Sequence, residues 1–86
     1  MQIFMNINIL KALADESRLS LMKALGNSEL CACVLPGIVK KTQPTVSAHL
    51  KVLSRAGIVR MRKDGAKRMY SLSASGKKIL EQIKRW

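Results

Sequence analysis

Aromatic side chains are nearly absent: Phe, Tyr and Trp supply one residue each, 3% of 86. Modules that bind RNA or single strands set several such rings along a sheet as stacking platforms, so those classes are demoted. Acids are also scarce, five Asp and Glu against sixteen Lys and Arg, which leaves a net charge of +11. On so small a surface that surplus points to a polyanionic partner, nucleic acid first. No apolar run approaches the roughly 18 to 20 residues that cross a bilayer, so no membrane partner is expected. The opening ten residues lack a basic n-region and are broken by Asn6 and Asn8, a poor signal peptide. The expected setting is the cytoplasm. The sequence offers no carboxylate pair, no nucleophile beside a base and no glycine-rich phosphate loop, so an enzyme is not expected, nor a tightly bound cofactor. There are only two cysteines, Cys31 and Cys33. In a reducing compartment they are expected as free thiols rather than a structural staple.

What is present is the balance of a folded domain, 48% hydrophobic against 24% charged residues. A 9.6 kDa chain holds one hydrophobic core, so residues 1–86 form a single domain. A core this small also makes oligomerisation an expectation.

Residues 2–13 alternate like a strand at Ile3, Met5, Ile7 and Ile9, yet Ile3, Ile7, Leu10 and Ala14 share a helical face. The helical reading is preferred. Asp15 is an N-cap for a helix carrying Leu19, Met22 and Leu25, with Gly26 as its stop. Pro36 is tolerated only in a first turn, which starts the next helix near Cys33 and ends it by about Lys41. Thr42 caps a helix on which Val46, Leu50 and Leu53 repeat as one apolar stripe, and Gly57 follows it. Asp64-Gly65 between two extended basic runs predicts a hairpin over about 58–72. Ser73 or Ser75 caps a last helix, about 75–86, with Ile79, Leu80, Ile83 and Trp86 as its stripe.

Helix, turn, capped helix and basic hairpin is the order of a winged helix-turn-helix: α+β, mainly α, about five helices with a two-stranded wing. The helix-turn-helix spans about 33–56. With Val46, Leu50 and Leu53 turned to the core, the opposite face of its second helix carries Gln43, Ser47, Ala48, Lys51 and Arg55. Such a helix enters the major groove of double-stranded DNA by its N-terminal end. Gln43, Thr45 and Ser47 are candidate base readers beside Pro44 in the first turn, and Lys51 and Arg55 are candidate phosphate contacts. Between Lys40 and Arg68 lie nine of the sixteen cations and one acid, Asp64. Arg60, Arg62, Lys63, Lys67 and Arg68 together read as a DNA-binding wing rather than as a merely soluble hairpin.

Four blocks resemble, in order and spacing, the ArsR/SmtB family of metal-responsive winged-helix repressors. They are Lys11-Ala-Leu-Ala-Asp-Glu-Ser-Arg-Leu19, Glu29-Leu-Cys-Ala-Cys-Val-Leu35, Thr42-Gln-Pro-Thr-Val-Ser-Ala-His-Leu-Lys-Val-Leu53 and Gly57-Ile-Val-Arg-Met-Arg-Lys-Asp-Gly65. The second block is similar to the family's arsenite and cadmium sensors. The resemblance implies a homodimer built on the first and last helices, about 2–13 and 75–86, that binds an imperfect palindrome and leaves it when a metal or metalloid binds. It also shows departures: Val34 stands where this subtype usually has Asp, and Pro36 where some arsenite sensors have a third cysteine. The last helix lacks the His and carboxylate pairs of the zinc and nickel sensors, so a zinc site at the dimer interface is not expected.

Thiolates select soft ions, and a site with few ligands favours As(III) or Sb(III) over hard cations. On a helix, residues i and i+2 diverge, whereas in an extended stretch they project to one side. Cys31 and Cys33 can therefore share an ion only off-helix. The rival readings for them are small buried residues or a redox pair. Three functions stand at this level: a repressor released by As(III), Sb(III) or another thiophilic ion at Cys31 and Cys33, which is preferred; a winged-helix regulator without a metal effector, redox-responsive or constitutive; and a non-specific architectural DNA-binding protein. His49 reads as a packed helix residue, the methionines as filler, and Glu16 and Arg18 as solvated charges.

Overall fold

The computed structural model describes residues 7–85. The elements are α1 (Ile7–Leu13), α2 (Glu16–Ala24), β1 (Leu30–Cys31), α3 (Leu35–Val39), α4 (Gln43–Arg55), β2 (Val59–Asp64), β3 (Lys67–Leu72) and α5 (Ala74–Lys84). This is a winged helix-turn-helix with five helices among the described residues. Residues 2–6 of the expected first helix and Trp86 of the expected last stripe lie outside the described residues.

Three side-chain caps start helices where the sequence placed them. The Asp15 carboxylate accepts from the Arg18 amide at 3.1 Å, the Thr42 hydroxyl from the Thr45 amide, and the Ser73 hydroxyl from the Gly76 amide at 2.9 Å. Helix α4 closes with Gly57 at φ +75°, its amide bonded to the Ser54 carbonyl and the Ile58 amide to the Leu53 carbonyl. This is a Schellman motif, with Ile58 and Leu53 both buried. Ala12, Leu21, Met22, Leu25, Leu35, Val46, Leu50, Leu53, Ile58, Ile79 and Leu80 form one continuous core. The close fit at α5 depends on Gly76, where a Cβ would collide with the Ile58 carbonyl oxygen.

The expected two-stranded wing is present as β2 and β3, and a short third strand that the sequence did not announce joins it: among the described residues the sheet runs β1-β3-β2, all antiparallel. Leu30 pairs with Tyr70 and Cys31 with Met69, and the Ala32 amide extends the ladder by donating to the Arg68 carbonyl at 2.9 Å. The hairpin turn also falls one residue later than Asp64-Gly65 implies: Asp64 pairs with Lys67, leaving Gly65, at φ +62°, as the first of two loop residues. Helix α3 begins at Leu35 rather than near Cys33, with Pro36 in its first turn.

Candidate nucleic-acid interface

Helix α4 is amphipathic in the way its sequence demands. Val46, Leu50 and Leu53 are buried, while Gln43, Pro44, Thr45, Ser47, Ala48, Lys51 and Arg55 are all exposed. The Thr42 hydroxyl donates to Thr45 Oγ1 at 2.9 Å, which leaves the Thr45 hydroxyl proton free to point outward. Lys40, in the turn before α4, adopts a left-handed conformation at φ 57°.

A cluster missed by the sequence reading fixes α4 from behind. Arg18 is not a solvated charge: its side chain is 16% exposed. Its guanidinium donates to the Ala12 carbonyl at 2.6 Å and the Lys11 carbonyl at 3.0 Å, satisfying the end of α1. The same group lies 3.2 Å from His49 Nδ1 on α4 and 3.9 Å from Asp15 at the start of α2. Three helices thus meet on one arginine. The Arg18 amide, and then its charge and that of His49, hold the Asp15 carboxyl below its ordinary value. His49 is a hydrogen-bonded helix residue, as expected.

On the wing, Arg60, Arg62, Lys63, Lys67 and Arg68 are exposed. Lys63 and Arg68 stand directly opposite each other across the ladder. Like charges so placed repel, and an anion between them would relieve the repulsion. Arg62 is engaged within the chain. Its Nε and Nη2 donate to the two Glu29 carboxylate oxygens at 2.7 and 2.6 Å, a two-pronged ion pair. The pair holds the Glu29 carboxyl below its ordinary value and raises that of Arg62.

Cys31 ends β1 half-buried, and Cys33 lies exposed in the turn that follows. The expectation of free thiols is corrected, because the two sulfur atoms are joined as a disulfide. The physical reason is the local backbone: a strand end followed by a turn brings the two Cα atoms to 5.1 Å, within disulfide range, and turns both side chains the same way. Among the described residues no group of three or more His, Cys, Asp or Glu side chains is placed to hold a metal ion.

A capped helix with a polar leading face, followed by a basic hairpin, defines a winged-helix DNA-binding regulator. Residues 15–61 match the family described as "Bacterial regulatory protein, arsR family". The chain is 46% identical over 75 residues to the arsenical resistance operon repressor of Staphylococcus aureus, covering 87% of this chain and 69% of that protein. It is 44% identical over 63 residues to an uncharacterized HTH-type transcriptional regulator of Methanocaldococcus jannaschii, covering 72% of this chain and 71% of the relative. Among solved structures, HlyU from Vibrio cholerae superposes with a TM-score of 0.84 at 34% identity, covering 92% of this chain and 87% of HlyU. The chain belongs to the arsR family of bacterial regulatory proteins.

Proposed function

We propose that the protein is a homodimeric transcriptional repressor that binds a palindromic operator and leaves it when As(III) or Sb(III) occupies Cys31 and Cys33. The observation that carries this reading is the convergence of the two sulfur atoms at the edge of the sheet that forms the wing. Once a small-molecule thiol has reduced the disulfide and been oxidised to its own disulfide, the two protein thiols can condense with arsenous acid, each displacing one hydroxide as water and leaving arsenic held by two sulfurs. The arsenical resistance operon repressor relatives favour this ion class. For DNA, Gln43, Thr45 and Ser47 take the base edges, and Lys51, Arg55, Lys63, Lys67 and Arg68 take phosphates. Dimerisation through α1 and α5 is supported by Ile7 and Leu10, large apolar residues 63% and 50% exposed on α1.

The test is fluorescence anisotropy of reduced protein on DNA from its own upstream region, with and without As(III), beside Cys31→Ser/Cys33→Ser. Loss of binding confined to the wild type is expected. Tight binding indifferent to As(III) in both proteins would sink the metalloid reading. The disulfide favours one rival, a redox-responsive regulator. That rival requires operator affinity to change between the oxidised and reduced wild type without any metalloid.

A further inference from the structure

The Glu29–Arg62 pair has a position that the composition of neither segment reveals. In the strand order β1-β3-β2, Glu29 immediately precedes one outer strand and Arg62 sits in the other. Their fork therefore crosses over the central strand. Arg62 itself shares one cross-strand row with the first cysteine, Cys31 opposite Met69 and Met69 opposite Arg62. The segment that carries both cysteines is tied to the wing at three further points: Leu30 with Tyr70, Cys31 with Met69, and the Ala32 amide with the carbonyl of Arg68. Arg68 is itself a candidate phosphate contact.

We infer that Glu29 and Arg62 are positioning residues, holding the wing in its DNA-binding attitude and passing to it what happens at Cys31 and Cys33. The coupling rests on the reading of that pair as the As(III) receptor. An ion held by both sulfurs fixes the turn after β1, and the Ala32 bond to the wing lies inside that turn. Any displacement there moves Glu29, two residues before Cys31, and with it a side-chain tie that spans the sheet. Arg62 has both prongs of its guanidinium on a carboxylate, so it does not present that fork to a phosphate. Its exposure, 57% for the side chain, makes the pair a weak stabiliser of the fold, so its effect falls on orientation.

The experiment is operator binding by reduced protein across a salt series, with and without As(III). It compares wild type, Glu29→Gln, Arg62→Gln, the double variant and the exchanged pair Glu29→Arg/Arg62→Glu. As(III) uptake is followed separately by its thiolate absorbance. Each single substitution is expected to loosen the operator by roughly three- to tenfold, with the double variant no worse than either single and the exchanged pair recovering much of the loss. Arg62→Gln should leave the slope of log affinity against log salt unchanged, and the As(III)-induced loss of DNA affinity should shrink by about tenfold in the singles while As(III) uptake stays intact. A slope lowered by about one in Arg62→Gln, with tighter binding by Glu29→Gln, would overturn the positioning role and make Arg62 a phosphate contact that Glu29 masks. If As(III) binds and releases wild type and Glu29→Gln equally, the coupling falls while the sensor reading stands. If As(III) does not bind the wild type, both fall.

Discussion

Two arginines on carboxylates show how differently the two halves of the molecule are held. Arg18, 16% exposed, sits among α1, α2 and α4 with two carbonyls, His49 and Asp15 around it, behind a helix whose apolar stripe is wholly buried. Arg62, 57% exposed, has one partner on the outer face of a sheet whose second strand buries only Val59. The helix proposed to read bases is therefore set by packing, which is stiff. The wing is set by a backbone ladder and a surface fork, each cheap to rearrange. A regulator assembled this way can keep its recognition helix intact and still alter its grip on DNA.

The contrast is broken most directly by truncation on each side. Leu50→Ala removes a side chain 1% exposed from the centre of the core and should cost about 3 kcal/mol in urea denaturation. Met61→Ala, on β2 and 43% exposed, should stay within about 0.5 kcal/mol. Equal losses would mean that the wing is as tightly packed as the helical half. Next in size, Arg18→Met keeps the stem but leaves the Ala12 and Lys11 carbonyls and His49 without their donor. It should cost about 1 to 3 kcal/mol, read as a lowered melting temperature. A loss under about 0.5 kcal/mol would reduce Arg18 to the solvated charge its sequence context implies.

For the wing, the sharper test has opposite signs in two assays. Lys63→Ala with Arg68→Ala removes a like-charge pair, so the free protein should gain a few tenths of a kcal/mol in stability. The same variant should lower the salt slope of operator binding by about two. An unchanged slope would take both residues off the DNA.

Much of this architecture is legible in the chain because local rules carry it. Asp15, Thr42 and Ser73 are oxygen-bearing residues before apolar periodic runs, and each caps the helix it announces. The α4 stripe and the basic hairpin follow equally from spacing, and with them the exposed residues of the candidate DNA face. What escaped depends on contacts between distant segments. Strand β1 is two half-buried residues with no alternation to show, and it exists because β3 offers an edge. Arg18 reads as a surface charge until α1 and α4 converge on it. Glu29 and Arg62 are 33 residues apart and meet only once the strand order is known. The cysteines fall between these cases. Their spacing shows that they can share an ion only off-helix, whereas the pairing of the sulfurs follows from the turn after β1.

The smallest effect separates the two carboxylates by acid titration. Asp15 does double duty, capping α2 and facing Arg18 and His49, and its carboxyl is held below the ordinary value, first by the Arg18 amide. A lowered folded pKa means that the stabilisation is fully present above the unfolded value of about 3.9 and is lost as pH falls through the folded one. Asn is an equally good N-cap, so Asp15→Asn keeps the cap and deletes the charge. The urea midpoint of wild type should exceed that of Asp15→Asn at pH 6, and the gap should close as the pH drops below about 3.9. Glu29→Gln should show the same sign, since Arg62 lowers Glu29 too, but with a smaller gap, because Arg62 is far more exposed than Arg18 and its pair ties no helix ends together. A gap for Glu29→Gln as wide as that for Asp15→Asn would mean that the wing fork stabilises the fold as much as the Arg18 cluster does. The division between a packed reading helix and an adjustable wing would then fail.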